Sequence, residues 1–398
     1  MGIHDGKKVA EALAPDALRR EMPRARADYL VVDMMCHLYA FQHMDVPTPR
    51  KLVDMMMADI FHVDAPYDTL VLVSDKRRLK ELTAPKAAEA EKRMRAQLAY
   101  YASRGMRPPE PYPVGTRFTD AGVLGPNGEE FAFHPSRVVE TVRHKDSTMA
   151  WWRYVQAHVE GGHWTMRVEC RFEDIPTDDA DVPLGTYGEA DLEIIHYLLH
   201  DVPDNARVYV LTLDTDFMAH YMLYCTQVAH EVIWIQDVGH YKKTSTGARG
   251  DWVPPWVLDM VEFRRAMDHV PPTVFARVML LMGTDFVERG WWVHGVTSVN
   301  AASLTLTPQL SPMLEIHDDM RSLTRLLIRQ LQVEHTRTFR VVDFGVAEEA
   351  AFRRAHIYWT RAIPTEATPE RWRECVRILR ANSHAAALEH VSLTVRRE

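Results

Sequence analysis

The sequence predicts an α/β fold: a parallel central sheet flanked by helices, with a long basic helix after the second strand and a mainly helical C-terminal part. Three observations carry this. Short, continuous apolar runs alternate with longer amphipathic segments, the pattern of strand–helix–strand units. The runs are short enough and apolar enough to be strands buried on both faces. Acidic residues recur directly after them, at the edge of an open parallel sheet where sites are built.

The elements follow in order along the chain. Residues 29–32 (Tyr-Leu-Val-Val) form a strand that ends at Asp33, and the helical pattern MMCHLYAFQHM follows. Thr48-Pro49 reads as an N-cap with proline at the first helical position, opening a helix to about His62. Residues 69–73 (Thr-Leu-Val-Leu-Val) form a second strand running into Ser74-Asp75. The Ala-, Lys-, Glu- and Arg-rich segment behind it predicts a long polar helix to about Tyr101. Residues 105–118 are a Pro/Gly-rich loop, and Pro126-Asn127-Gly128 turns a hairpin. A helix over Ser147–Val159, a strand over 164–171, an acidic loop over 173–188 and an amphipathic helix from Glu189 to His200 come next. Strands at 207–213 and 231–236 and helices at 255–268 and 272–282 complete the pattern, which is mostly helical beyond Trp292.

Composition is that of a soluble globular protein, with 46% hydrophobic and 26% charged residues among 398. No apolar run reaches the roughly 18–20 residues of a membrane span, and the N-terminal stretch has no apolar core of a secretory signal. A soluble, intracellular protein without membrane partners is expected. Cys36, Cys170, Cys225 and Cys375 are widely separated and form no metal-ribbon or disulfide pattern, which suits a reducing compartment and small core residues. The net charge is −8, but between Lys76 and Arg107 ten basic residues face three acidic ones. A basic strip beside an acidic remainder suits an enzyme that works on a polyanion with the help of cations; a solvated helix face is the plainer reading of the same residues.

The acids form a constellation. Asp33, Asp75 and Asp214 each follow a strand run, Glu189/Asp191 and Asp214/Asp216 are i, i+2 pairs, and Asp285 follows the helical run VMLLMGT. Phosphodiester hydrolysis needs an activated water, a neutralised phosphate and a stabilised leaving oxygen, and two hard cations about 3.5–4 Å apart meet all three needs. Magnesium takes carboxylate oxygens rather than His or Cys. Carboxylates crowded together repel one another and take up protons unless a cation joins them. A DxD after a buried strand also occurs in metal-using glycosyltransferases and as a plain turn. The sugar-transfer reading leaves Asp33, Asp75 and Asp285 unexplained.

With these motifs in order, the chain resembles the XPG-type 5′-nucleases, the superfamily of flap endonucleases and 5′→3′ exoribonucleases with a PIN-like catalytic domain. The pieces are MGIHDGKK, YLVVDMMCHLYAF, LVLVSDKRRLK with its basic helix, YGEADLEIIHYL, VYVLTLDTDFM and LLMGTDFVERG. The resemblance implies a catalytic domain over 1–305, with arch and insertion at about 76–186, and a helical C-terminal region over 306–398. It implies two Mg²⁺ ions, with Mn²⁺ as a substitute: Asp33, Asp75, Glu189 and Asp191 mainly for the first, Asp214, Asp216 and Asp285 for the second. Lys80 and Lys86, with Arg93 behind them, would contact the scissile phosphate, and Gly2 would lie near the site. The implied substrate is DNA with a 5′ flap, branch or end; RNA is the alternative, because GEADLEIIHYL is also similar to an exoribonuclease motif. The chain departs from the family at Asp75-Lys76, where Asp-Gly is usual, and at Gly295-Val296-Thr297, which lacks the second glycine of the duplex-gripping hairpin. The stretch between Tyr101 and Glu189 is longer than a plain flap-endonuclease arch. No clear sliding-clamp motif is present, and nothing in the sequence sets an oligomeric state. The altered hairpin motivates a rival: a non-catalytic nucleic-acid-binding scaffold on the same fold.

Smaller features have plain readings. His196 and His200 have i, i+4 spacing but no HExxH, so they read as ordinary histidines. Trp151-Trp152 read as core. Trp291-Trp292 read as core or as a base-stacking wedge, and the basic loop 241–250 as a solvated loop or a phosphate contact. Arg321, Arg325 and Arg329 line one face of an amphipathic helix.

Overall fold

A computed structural model of the chain describes residues 5–75, 94–95, 97–143, 148–172, 190–243, 249–282, 293–294, 299, 302 and 340–341. Helix α1 (Gly6–Leu13) leads into a short strand β1 (Leu18–Arg19). Strand β2 (Ala27–Asp33) runs directly into α2 (Met34–Phe41), and α3 (Pro49–Phe61) returns the chain to β3 (Tyr67–Val73). The junctions are set locally. The Asp33 carboxylate accepts from the Met35 N–H and caps α2, and Thr48 Oγ1 accepts from the Lys51 N–H at 3.2 Å to cap α3, with Pro49 inside the first turn. A small antiparallel sheet follows, made of β4 (Arg117–Phe118), β5 (Val123–Leu124) and β6 (Glu130–Phe131), with Gly128 at positive φ in the turn that the sequence predicts.

Helices α4 (Pro135–Arg143) and α5 (Thr148–Glu160) precede β7 (Arg167–Arg171), and α6 (Ala190–His200) precedes β8 (Arg207–Leu211). Helix α7 (Asp216–Tyr224) then leads to β9 (Glu231–Asp237), the β10 (His240–Lys243) and β11 (Arg249–Val253) hairpin, and β12 (Trp256–Asp259). Helices α8 (Met260–Ala266) and α9 (Pro272–Leu281) follow, and β13 (Val293–His294) pairs with β14 (Arg340–Val341). Residues 97–102 are helical, as predicted for the end of the basic segment, while 76–93 lie outside the described residues. So does the predicted helical part at 306–398, apart from β14, and so do Trp291 and Trp292.

The central sheet has the order β1-β12-β9-β8-β2-β3-β7. The five strands β9, β8, β2, β3 and β7 are parallel, and β12 joins β9 antiparallel. Strand alternation sends side chains to two cores. Val31, Val71, Val73, Val208, Val210 and Trp234 meet α1 and α6 to α9 on one face. Leu30, Val32, Leu70, Leu72, Tyr209 and Ile235 meet α2 to α5 on the other. Trp151 and Trp152 are fully buried in the second core, as their helix pattern predicts. Among the described residues no helix is long and apolar enough to cross a membrane.

Two sequence expectations change. The helix predicted over 255–268 is a strand followed by a helix. Trp256, Val257 and Leu258 take the strand because they cover the open edge of β9. The helix begins only at Met260, because Asp259 accepts from the Val261 and Glu262 N–H groups at 3.1 and 3.2 Å and so caps it. The sheet is accordingly parallel at its centre and antiparallel at one edge. Helix α4 was not expected; Pro135 at its first position and the buried Val138, Val139 and Val142 explain it.

Candidate metal centre

The chain leaves β2 in one direction, towards β3 and β7, and later returns on its other side as β8. The ends of β8, β2 and β3 therefore flank a topological switch point, where open α/β sheets leave a crevice. Asp33 ends β2, Asp75 lies two residues beyond β3, and Asp214 lies three beyond β8. Asp33 continues the alternation of Val31, and Asp75 that of Val73. Both thus belong to the face covered by α6 and α7.

Asp33 is buried and richly bonded. Its Oδ1 accepts from the Met35 N–H at 2.9 Å, and its Oδ2 accepts from Cys36 Sγ and from Thr212 Oγ1, both at 3.1 Å. Burial pushes the Asp33 carboxyl above its ordinary range. The hydrogen bonds from Cys36, Met35 and Thr212 oppose the rise, and the negative charge of Asp191 adds to it. Burial and the Asp33 charge likewise raise the Cys36 thiol well above its usual value.

Asp191 is buried in the first turn of α6, the helix that packs against β2, β3 and α7. Its Oδ1 accepts from the Leu192 N–H at 2.9 Å, and its Oδ2 lies 2.8 Å from His220 Nδ1 on α7. Asp75 Oδ1 accepts from the Ala190 N–H at 3.1 Å, so the acid after β3 holds the start of the helix that carries Asp191. After β8, Asp214 Oδ1 accepts from the Asp216 N–H at 3.0 Å, and the Asp214 N–H donates to Thr212 Oγ1 at 3.1 Å. Asp216, almost fully buried, begins α7.

Five of the seven predicted acids thus gather along one sheet edge: Asp33, Asp75, Asp191, Asp214 and Asp216. Glu189 and Asp285 lie outside the described residues, as do Gly2, Lys80, Lys86 and Arg93. Among the described residues, no group of three or more His, Cys, Asp or Glu side chains could hold a metal ion. The donor chemistry nevertheless fits a hard divalent cation: the ligands available are carboxylates, and the buried Asp33 experiences a second negative charge that a cation would offset.

The structure adds residues that the motifs did not identify. Thr212 donates to Asp33 and accepts from the Asp214 N–H, joining the ends of β2 and β8. Trp234 Nε1 donates to the Thr212 carbonyl at 2.9 Å and anchors that junction in the core. His220 stands four residues after Asp216, on the same helix face, a spacing that was visible in the sequence. His196 and His200 pack ring to ring, centroids 4.5 Å apart. Two pockets among the described residues lie apart from this edge. One, of about 450 Å³, is lined by Arg50, Asp54, Asp120, Tyr154, His158 and Trp164 and contains none of the five acids.

Helix α1 reaches the same edge. A Cβ added at Gly6 would fall 2.6 Å from Thr215 Cβ, closer than carbon atoms approach. In an ordinary helix Gly→Ala is stabilising by up to about 1 kcal/mol. Here Gly6→Ala is expected to destabilise the protein by about 1–3 kcal/mol, because α1 or the Asp214–Asp216 turn must move. Urea unfolding gives the sign directly, and a stabilised Gly6→Ala protein would refute the close approach.

No family model matches this chain, and no curated protein matches it. Among solved structures it is similar to a crystal structure of the bacteriophage T5 flap endonuclease, a pseudo-enzyme–product complex with DNA and metal ions. The sequence identity is 10% and the TM-score 0.34, over 89% of this chain and 100% of that chain. A likeness at that level carries no functional inference, and the chemistry of this chain is read from its own acidic edge.

Proposed function

We propose that this chain is a metal-dependent phosphodiesterase of the nuclease type, acting on nucleic acid. The observation that carries the reading is the gathering of Asp33, Asp75, Asp191, Asp214 and Asp216 at the edge shared by β8, β2 and β3. In the proposed centre Asp33, Asp75, Glu189 and Asp191 hold mainly one Mg²⁺, and Asp214, Asp216 and Asp285 complete a second. Bound divalent cations neutralise phosphate charge and acidify water. The chain's own contribution is to orient these carboxylates: Thr212 and the Met35 N–H hold Asp33, the Asp216 N–H holds Asp214, and the Ala190 N–H holds Asp75. Lys80 and Lys86 would stabilise charge on the phosphate, with Gly2 close by. A 5′-flap or branched DNA substrate is the finer form of the proposal, and a 5′-directed RNA substrate is its equal on the same chemistry.

A second reading is a nucleic-acid-binding scaffold without catalysis. It is favoured by the failure of the described acids to close into a group of three around one ion. One panel separates the two: matched flap, single-stranded and duplex substrates, in DNA and in RNA, with Mg²⁺, Mn²⁺ or chelator. The nuclease reading expects cleavage with either ion and none with chelator. Salt-sensitive binding without cleavage under any condition would overturn it in favour of the scaffold.

A further inference from the structure

His220 is fully buried on α7, and its Nδ1 lies 2.8 Å from Asp191 Oδ2. An imidazole nitrogen and a carboxylate oxygen at that distance are in direct polar contact, and only the nitrogen can bring a proton to an ionised carboxylate. Burying an imidazole is costly unless its polar atoms are bonded. Leu, Met or Phe would fill the same helix position without that cost, and α7 uses Phe217, Met218, Tyr221 and Met222 for its other buried contacts. Packing alone therefore does not explain a histidine here, whereas its close contact with the Asp191 carboxylate does.

The contact also has a particular place in the fold. Asp191 comes from the first turn of α6, and His220 lies four residues after Asp216, which opens α7. The contact therefore ties the Asp33/Asp191 pair to the helix that begins with the Asp214–Asp216 turn. Asp33 and Asp191 repel one another. Oδ1 accepts from the Leu192 N–H and Oδ2 lies against His220 Nδ1, so α6 touches one oxygen of the carboxylate and α7 the other.

We propose that His220 is a positioning residue for the metal centre: it fixes the orientation of Asp191 and, through α7, the spacing between the two acid groups. This rests on the reading of Asp191 as a metal ligand. Groups that orient metal ligands typically change metal affinity by about 10–100-fold when removed.

The test is Mn²⁺ binding to the full chain, followed by calorimetry and by the electron paramagnetic resonance signal of free Mn²⁺, without nucleic acid. His220→Leu removes the donor at similar volume. His220→Asn keeps an N–H near the Nδ1 position, and His220→Gln moves it one methylene further out. The expectation is about 10–100-fold weaker Mn²⁺ binding in His220→Leu, substantial recovery in His220→Asn and little in His220→Gln. The Mn²⁺ concentration for half-maximal cleavage should shift in the same order. If His220→Leu does not fold, the Asn-against-Gln comparison decides, since both retain a polar side chain. Equal Mn²⁺ affinity in wild type and His220→Leu, or in His220→Asn and His220→Gln, overturns the positioning role while leaving the metal centre standing. A wild-type chain that binds no Mn²⁺ overturns the metal centre itself, and the role of His220 with it.

Discussion

Asp214→Asn is expected to abolish metal-dependent cleavage while leaving the fold intact. Asp214 accepts from the Asp216 N–H through Oδ1 and donates its own N–H to Thr212. Asparagine keeps that oxygen, that N–H and nearly the same volume, so the turn is preserved. What is lost is one negative charge at the end of β8. Hard divalent cations bind carboxylates far better than amides. Electrostatic contributions to a transition state are also large in a partly desolvated site, so the rate should fall on the order of 100-fold or more. Thermal unfolding of the variant should stay close to wild type, within roughly 0.5 kcal/mol. Asp204→Asn, a change at an exposed loop carboxylate away from the edge, is the control and should cleave normally. Full activity in Asp214→Asn would remove the acidic edge from the mechanism.

Trp234→Ala is expected to cost the most stability. The indole is fully buried, 5.2 Å from the Trp256 ring and 5.6 Å from Phe217, and its Nε1 donates to the Thr212 carbonyl. Truncating a buried Trp typically costs about 3–5 kcal/mol in lost burial and cavity formation. An orphaned buried carbonyl adds roughly 1–3 kcal/mol. The urea midpoint should drop accordingly. Trp234→Phe keeps most of the ring area and loses the N–H, so it separates the two contributions. Because Thr212 holds both Asp33 and Asp214, Trp234→Phe should also weaken cleavage more than its modest stability loss explains. A Trp234→Ala protein within about 1 kcal/mol of wild type would contradict this account of the core.

The strands were legible because their apolar runs are continuous and end in polar punctuation: LVVD, LVLVSD and VYVLTLD in the sequence end at or within a few residues of the strand ends in the structure. The capped start at Thr48-Pro49 and the turn at Gly128 were legible for the same local reason. The segment Trp256–Asp259 was not legible. Four apolar-to-acidic residues fit a helix or a strand equally well, and only the open edge of β9 selects the strand. Helix α4 was missed because its valines carry little local helix signal and it is the second core that makes it worthwhile.

The site divides in the same way. Local spacing singled out seven acids, and the five described ones, Asp33, Asp75, Asp191, Asp214 and Asp216, lie after strand ends or at the start of a helix. Which of them face one another was decided only in three dimensions. The crossover that sets β8 beside β2 brings Thr212 against Asp33, and the packing of α6 on α7 brings His220 against Asp191. These pairs are separated by 179 and 29 residues along the chain, so no local pattern encodes them. The sequence by itself determined an α/β chain with acids at its strand ends; the tertiary structure decided which acids share a face, because strand order and helix packing are properties of the whole core.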